Sequence, residues 1–575
     1  MNSNLLHPLL LSWAVSNSGS DREPSRPAAR RNIPRGSKYQ NLREPWWPLR
    51  AGTARGPVSL MQTWLFCGIA LWGLCFPAHA DDQPQWGQAW SRNMVSEERG
   101  LPDSFDPASG RNIKWSAEIG TEAHSTPIIA GGRVYIGTNN GHPRDPAQEG
   151  DRGVLMCFDE QTGRFLWQLV VPKRTEDIYY DWPNSGISSP VTVEGDRVYL
   201  VSNRGEVLCL DPRPATGKAE GRMQNAETNQ SPPATDPRVL WKFDLTTGAG
   251  IWSHDAAHSS ILIHGDHLYL NTGTGVDNTH RRIRTPDAPS LVVLDKRTGR
   301  LVARDDEHIA PNIFHSTWSS PSLATVNGRP LVFFNGGNGI VYAFETVRNG
   351  VMEYRSDGVM DDNKSAQHST APPLQFPAFL RKVWQFDFDP GAPKTNVHRY
   401  NSNRRESPSN FYGMPVFDHN RLYIAGGGDI WWGKNEAWLR CIDATRTGDI
   451  TTNGLVWSYA LQKHVMSTPA VYHGLVFIAD CGHILHCVDA DTGKPYWTHE
   501  LQGEAWASPL AADGKVYLGT RSGSFYIFAA SKEKKVFSTI DLGLPISSTT
   551  VAANGVLYLA TMTHLYAVRQ GAGGR

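Results

Sequence analysis

Residues 487–497 read CVDADTGKPYW, Cys487 to Trp497. An apolar run leads into Asp-x-x-Thr-Gly, and a tryptophan follows four positions after the glycine. The phrase returns as CFDEQTGRFLW (Cys157 to Trp167), CIDATRTG (Cys441 to Gly448) and VLDKRTG (Val293 to Gly299). An aspartate that accepts from turn N–H groups, followed by a glycine that takes positive φ, is the chemistry of a tight turn between strands. A turn repeated at a distance means a repeated structural unit.

Working outward from the turn exposes that unit. The strand before it belongs to a hairpin whose other arm reads GGRVYIGT, GDRVYLVS, GDHLYLNT, RPLVFFNG, HNRLYIAG, HGLVFIAD, DGKVYLGT and NGVLYLAT. Their aromatic positions, Tyr135, Tyr199, Tyr269, Phe333, Tyr423, Phe477, Tyr517 and Tyr558, are 64, 70, 64, 90, 54, 40 and 41 residues apart. The bare unit is therefore about 40 residues, and its alternating β-branched and aromatic residues predict a four-stranded blade. Most copies open on Ser/Thr-Pro, where proline costs no ladder donor. The fourth strand carries Trp167, Trp241, Trp384, Trp457 or Trp497, with Phe537 expected in that role in the seventh copy. The eighth copy lacks a fourth strand, and NIKWSAEIG (Asn112 to Gly120) precedes the first copy. The expected fold is all-β: an eight-bladed β-propeller of four-stranded antiparallel blades over 111–570, its ring closed by this N-terminal strand. Closure of this kind leaves no exposed sheet edge.

The flanks read differently. Residues 1–60 carry nine Lys/Arg against three Asp/Glu and lack periodicity, which predicts a disordered basic segment and a mis-assigned start. MQTWLFCGIALWGLCFPAHA at 61–80 has a short apolar core and ends Ala78-His79-Ala80, which predicts an export signal cleaved after Ala80 and a periplasmic or secreted protein. No transmembrane segment is expected after cleavage. Residues 81–110 are expected to be a leader. Polar insertions are expected near 213–238 and 349–405, the second holding Arg399, Arg404 and Arg405 beside Tyr400 and Tyr412. Beyond residue 80 the chain carries six more acidic than basic groups, which argues against nucleic acid as a partner. Cys157, Cys209, Cys441 and Cys487 share one repeat position and read as buried hydrophobes. Cys481 is expected to be a buried thiol, with a disulfide to Cys487 as the alternative.

The repeat Asp-x-x-Thr-Gly-Lys/Arg-x-x-Trp resembles the pyrroloquinoline quinone (PQQ) repeat over Asn112 to Arg569. PQWGQAWSRNMVSEERGLPDSF resembles the leader of a bacterial group of PQQ-like propellers. More distantly the chain resembles quinoprotein alcohol dehydrogenases and the outer-membrane barrel-assembly propeller. The first resemblance implies PQQ with Ca²⁺ or a lanthanide, under a vicinal cysteine pair and beside a Glu/Asn/Asp set. No two cysteines here are adjacent and no C-x-x-C-H haem motif is present. The second implies a propeller that binds partners.

Residues just ahead of each inner strand are expected to face the channel mouth: His124, Asn184, His258, His315, Trp318, Asn410, Tyr412, His464, Glu504 and Trp506. Such a funnel suits a metal or an aromatic, anionic ligand, and the propeller face is expected to take a protein or small-molecule ligand. No linear spacing marks a dedicated metal site, so none is expected. Asp489 and Asp491 belong to the repeat turn, not to a calcium loop. The expected role is a monomeric binding or scaffold protein, with a PQQ-dependent oxidoreductase as the alternative.

Overall fold

In the computed structural model, residues 81–214, 236–255, 259–347 and 377–571 are described. The basic segment 1–60, the expected signal at 61–80, His258, and the stretches 215–235 and 348–376 of the two insertions lie outside the described residues.

The repeat becomes eight antiparallel blades. Blade 1 comprises Ile128–Ala130, Arg133–Asn139, Arg152–Asp159 and Phe165–Pro172. The inner strands of the others are Thr192–Glu194, Leu262–His264, Ser322–Val326, Val416–Asp418, Ala470–Tyr472, Leu510–Ala512 and Val551–Ala553. The ring closes as expected: Ile113–Glu118 pairs antiparallel with His564–Val568 and becomes the outer strand of blade 8. Within the expected insertion 349–405, Lys382–Asp387 is the outer strand of blade 4.

Why the phrase repeats is now visible at the seams. In each Asp-x-x-Thr-Gly turn the aspartate carboxylate accepts from the threonine N–H, at 2.9 Å for Asp159, 2.8 Å for Asp295 and 2.9 Å for Asp489. The tryptophan of the preceding blade donates its indole N–H to the carbonyl just after that aspartate. Trp115 bonds Glu160 (2.9 Å), Trp241 bonds Lys296 (3.1 Å) and Trp457 bonds Ala490 (3.0 Å). The ring then lies flat on the turn glycine: a Cβ on Gly163 would sit 2.6 Å from Trp115, and one on Gly493 2.5 Å from Trp457. The glycine thus serves a left-handed turn and a close ring contact together. Across the strand pair each tryptophan faces a small residue: Cys157, Cys209, Cys441 and Cys487 lie opposite Trp167, Trp241, Trp457 and Trp497, and Ala567 and Ala343 lie opposite Trp115 and Trp384. All five described cysteines are free and buried.

Register corrects one expectation. The residue opposite Ile527, in the tryptophan position of blade 7, is Ser538; Phe537 points outward and is exposed. The leader covers that seam instead: Ser538 donates to the Asp103 carbonyl, and Leu101 and Phe105 pack with Phe525.

The leader does more than enter the ring. It passes the inner strands in blade order and pairs with their free edges. The N–H groups of Ile129, Val193, Leu323, Phe417 and Ala511 donate to the carbonyls of Gln83, Pro84, Trp90, Ser91 and Met94. The Trp90 indole reaches the Ile263 carbonyl, the Asn93 amide bonds Val471 reciprocally at 2.8 Å, and Ser96 bonds Ala552. The expectation that ring closure removes every sheet edge is corrected here: each inner strand keeps an edge toward the axis, and residues 83–96 meet all eight. Arg92 is fully buried at the centre of this plug, its guanidinium on the carbonyls of Trp86, Ser260 and Pro321. Burial pulls its pKa down to about 9.

Trp497→Phe keeps the ring but loses the 2.9 Å bond to the Ser531 carbonyl. It should cost about 1 kcal/mol, read as a lower urea midpoint with unchanged slope.

Candidate functional site

The leader contacts the end of the ring that holds the turns between first and second strands, for example Asp82 with Gly131 and Glu98 with Asn554 and Gly555. The opposite mouth is built by two other loop sets: the links between blades and the loops between second and third strands.

Four loops on one side of this mouth converge. The link from blade 2 to blade 3 carries His254 and Asp255. The long loop after His267–Asn271 folds back through Ser253–Thr274 and Val276–Ile283 bridges. At its tip Asp277 accepts from Thr279 and Arg282, and His280 takes φ 55°. The link to blade 4 carries His315, whose carbonyl accepts from Val276 N–H at 3.0 Å. Strand Arg421–Gly428 ends at Asp429, whose Oδ1 accepts from the N–H groups of Trp431 (3.0 Å) and Trp432 (2.7 Å).

The result is a buried trio of imidazoles, His254, His280 and His315, whose facing atoms all lie within 4.8 Å of one another. The Nε2 atoms of His254 and His315 are 3.1 Å apart, and the Asp255 carboxylate lies 3.7 Å from each. His315 Nδ1 is 2.8 Å from Asp429 Oδ2, which also accepts from the Tyr412 hydroxyl. Burial and the two neighbouring rings push the His254 pKa well down, and burial also lowers His280. For His315, burial works against the charged form but Asp429 and Asp255 outweigh it, so its pKa is raised. Burial would raise Asp429, yet His315, Tyr412 and the Trp432 N–H hold it well below the usual carboxylate range. Burial and the Asp429 charge push Tyr412 far up.

A continuous run of ring contacts crosses the mouth. Trp182 meets Tyr179 (5.3 Å between centroids), Tyr179 meets His280 (5.1 Å), His280 meets His315 (5.2 Å) and His315 meets Trp431 (5.5 Å). Trp431 meets Trp318 (5.6 Å) and Trp506 (6.3 Å), and Trp506 meets His124 (6.4 Å) under the Arg521 guanidinium. Ile178, Trp182 and Trp431 are exposed on this surface.

The structure therefore brings His315, Trp318, Tyr412, Trp506 and His124 into one connected surface, with Asn410 on Asp429 at 3.5 Å. Glu504 accepts from the Trp506 indole at 3.2 Å. His464 is buried, its pKa pushed down to about 4 by burial and by Arg404 and Lys463. Asn184 is tied by its backbone to Asp151 and Asn139. Arg404, from the second of the expected polar insertions, clamps the carbonyls of Ile430, Trp431 and Gly433. Sequence reasoning missed His254, Asp255, His280, Asp429, Tyr179, Trp431 and Trp432. A signal for two of these regions existed: the long polar loop 272–290 and the GGGDIWWGK run, both between second and third strands.

A family model described as outer membrane protein assembly factor BamB matches residues 150–363 and 435–574. Quinohemoprotein alcohol dehydrogenase ADH IIB of Pseudomonas putida is 21% identical over 494 residues, which are 76% of this chain and 65% of that relative. The chain thus spans just under two thirds of that relative's length. Outer membrane protein assembly factor BamB of Yersinia pestis is 20% identical over 438 residues, 72% of this chain and 88% of its own. Among solved structures, BamB from Moraxella catarrhalis has a TM-score of 0.45 at 12% identity, covering 80% of this chain and 98% of that one. A europium-containing methanol dehydrogenase has 0.36 at 12% identity, covering 78% and 89%. With the eight-blade ring and the repeated turn, the match over most of the repeat region means that this chain belongs to the PQQ-repeat propeller family described as outer membrane protein assembly factor BamB.

Proposed function

We propose that this protein is an exported binding scaffold that takes a protein segment at the channel mouth opposite its leader. The observation that carries this reading is the asymmetry of the two ends. One end is sealed by residues 83–96 on all eight inner strands; the other displays a connected aromatic surface from Trp182 to His124. Large rings held rigid by their neighbours and partly open to water are the anchors that protein interfaces favour. The family's description as an assembly factor supports a protein as the ligand. Export rests on the 61–80 sequence, and no helix among the described residues is long and apolar enough to cross a membrane.

A photo-crosslinking residue placed at Trp182 or Trp431, in the producing cell, should give a discrete adduct. The same residue at Asp196, exposed in a turn on the leader side, should give none. Equal labelling from both faces, or no adduct from the mouth, would overturn the reading.

The family resemblance also implies a quinone with a calcium or lanthanide ion, and the residues at this mouth do not fit that assembly. Ions of this kind want a cage of oxygens, whereas the ligand atoms gathered here are imidazole nitrogens. Both Asp429 oxygens already accept from His315, Tyr412 and two backbone N–H groups. The described cysteines are all buried and none is adjacent to another. Titrating PQQ into the protein with Ca²⁺ or La³⁺ should give no saturable tryptophan quenching at tens of micromolar. Stoichiometric, metal-dependent quenching would favour the oxidoreductase alternative.

A further inference from the structure

We infer that His254, His280 and His315, with Asp255 as fourth ligand, form a binding site for one divalent first-row transition metal ion at the channel mouth. The inference deepens the scaffold reading by giving the mouth a metal, and it rests on the mouth being the working surface.

Geometry comes first. A tetrahedral ion bound at about 2.0–2.1 Å holds its ligand nitrogens about 3.3–3.4 Å apart. The His254 and His315 Nε2 atoms already stand at 3.1 Å. The widest separation in the trio, within 4.8 Å, needs to close by about 1.4 Å, which rotation of the His280 side chain on its turn supplies. Asp255 approaches both Nε2 atoms equally, at 3.7 Å, the placement of a carboxylate that completes a four-ligand set.

The surroundings fit a metal better than a bare hydrogen-bond cluster. Metal-bound imidazoles are usually oriented by a partner on the other ring nitrogen. His315 has the buried Asp429 carboxylate on Nδ1, while the His254 and His280 rings are bonded to the backbones of Val276 and Asn278. Three imidazoles packed together without an ion repel as soon as two are protonated; with an ion they present lone pairs to one centre. Two carboxylates, Asp255 and Asp429, supply charge for a dication. The nitrogen-rich set selects zinc, copper, nickel or cobalt over calcium or magnesium. Tyr179, Trp431 and Trp432 shield it from one side each, through ring contacts with His254, His315 and His280.

The test uses Co²⁺ as the probe on the purified full chain after chelator treatment and desalting. One equivalent should give visible ligand-field absorption of four-coordinate strength, displaced by one equivalent of Zn²⁺ and indifferent to millimolar Ca²⁺. His254→Gln and His280→Gln should each weaken Co²⁺ binding about 100-fold or more. His124→Gln, at the same mouth outside the trio, should leave it unchanged. Circular dichroism and the urea midpoint of each variant report folding, and His280→Gln, on a turn tip, keeps the test alive if His254→Gln fails to fold. Absence of saturable Co²⁺ absorption in the parent protein overturns the site, as does equal loss in His124→Gln or no loss in either trio variant. Because the readout is the ion's own spectrum, failure here leaves the crosslinking result standing, and failure of crosslinking leaves a metal site standing.

Discussion

Asp429→Ala should destabilise the folded protein by about 3–5 kcal/mol, the cost of removing one partner from a buried, charge-assisted network. The carboxylate is wholly buried and receives His315 Nδ1, the Tyr412 hydroxyl, the Asn410 amide and the N–H groups of Trp431 and Trp432. Alanine leaves each of these without its acceptor in a place water does not reach. Asp429→Asn preserves an acceptor for the two backbone N–H groups but turns a donor toward His315 and Tyr412, so it should fall between alanine and the parent. Tyr412→Phe should cost about 1.5–3 kcal/mol, because its hydroxyl donates to a buried charged acceptor. Urea midpoints rank the three, and a double-mutant cycle between Asp429 and Tyr412 should show coupling, since the two share one bond. Additive losses would mean that Asp429 acts through the backbone alone.

Gly163→Ala should cost about 2–5 kcal/mol, well beyond the same change at Gly131. Both glycines have positive φ, 71° and 58°, so both substitutions carry left-handed strain of about 1–2 kcal/mol. Only at Gly163 does the new Cβ meet a neighbour, the Trp115 ring at 2.6 Å, and overpacking adds about 1–3 kcal/mol. The site of the clash matters. Trp115 belongs to the N-terminal strand that closes the ring against His564–Val568, and no covalent connection joins those two strands locally. Hydrogen exchange at residues 113–118 should therefore accelerate in Gly163→Ala and stay unchanged in Gly131→Ala. Equal midpoints for the two variants would show that the seam relaxes freely around the added methyl.

The blades were legible because their determinants are local. Turn aspartate, turn glycine and alternating strand residues lie within one repeat, so Asp489, Gly493 and Trp497 announce their roles in eleven residues. Even ring closure could be read, because a fourth strand was missing at one end and present at the other. What the glycine meets was not legible, since Trp115 and Gly163 touch across a seam between blades. Nor was Ser538 in the tryptophan position of blade 7, because a one-residue register choice separates it from the outward-facing Phe537.

For the mouth, sequence by itself determined that links between blades reach the axis, and it named His315, Trp318, Tyr412 and Trp506. Tertiary structure alone decided that His254, His280 and Asp429 join them. Their positions span 175 residues and three blades, and two of the three, His280 and Asp429, sit on loops between second and third strands. The leader is the same case: residues 83–96 carry no strand or turn pattern, yet between them they meet all eight inner strands. Around a closed ring, chain distance and spatial distance are unrelated at the axis, so a site or a plug built there leaves no spacing in the sequence.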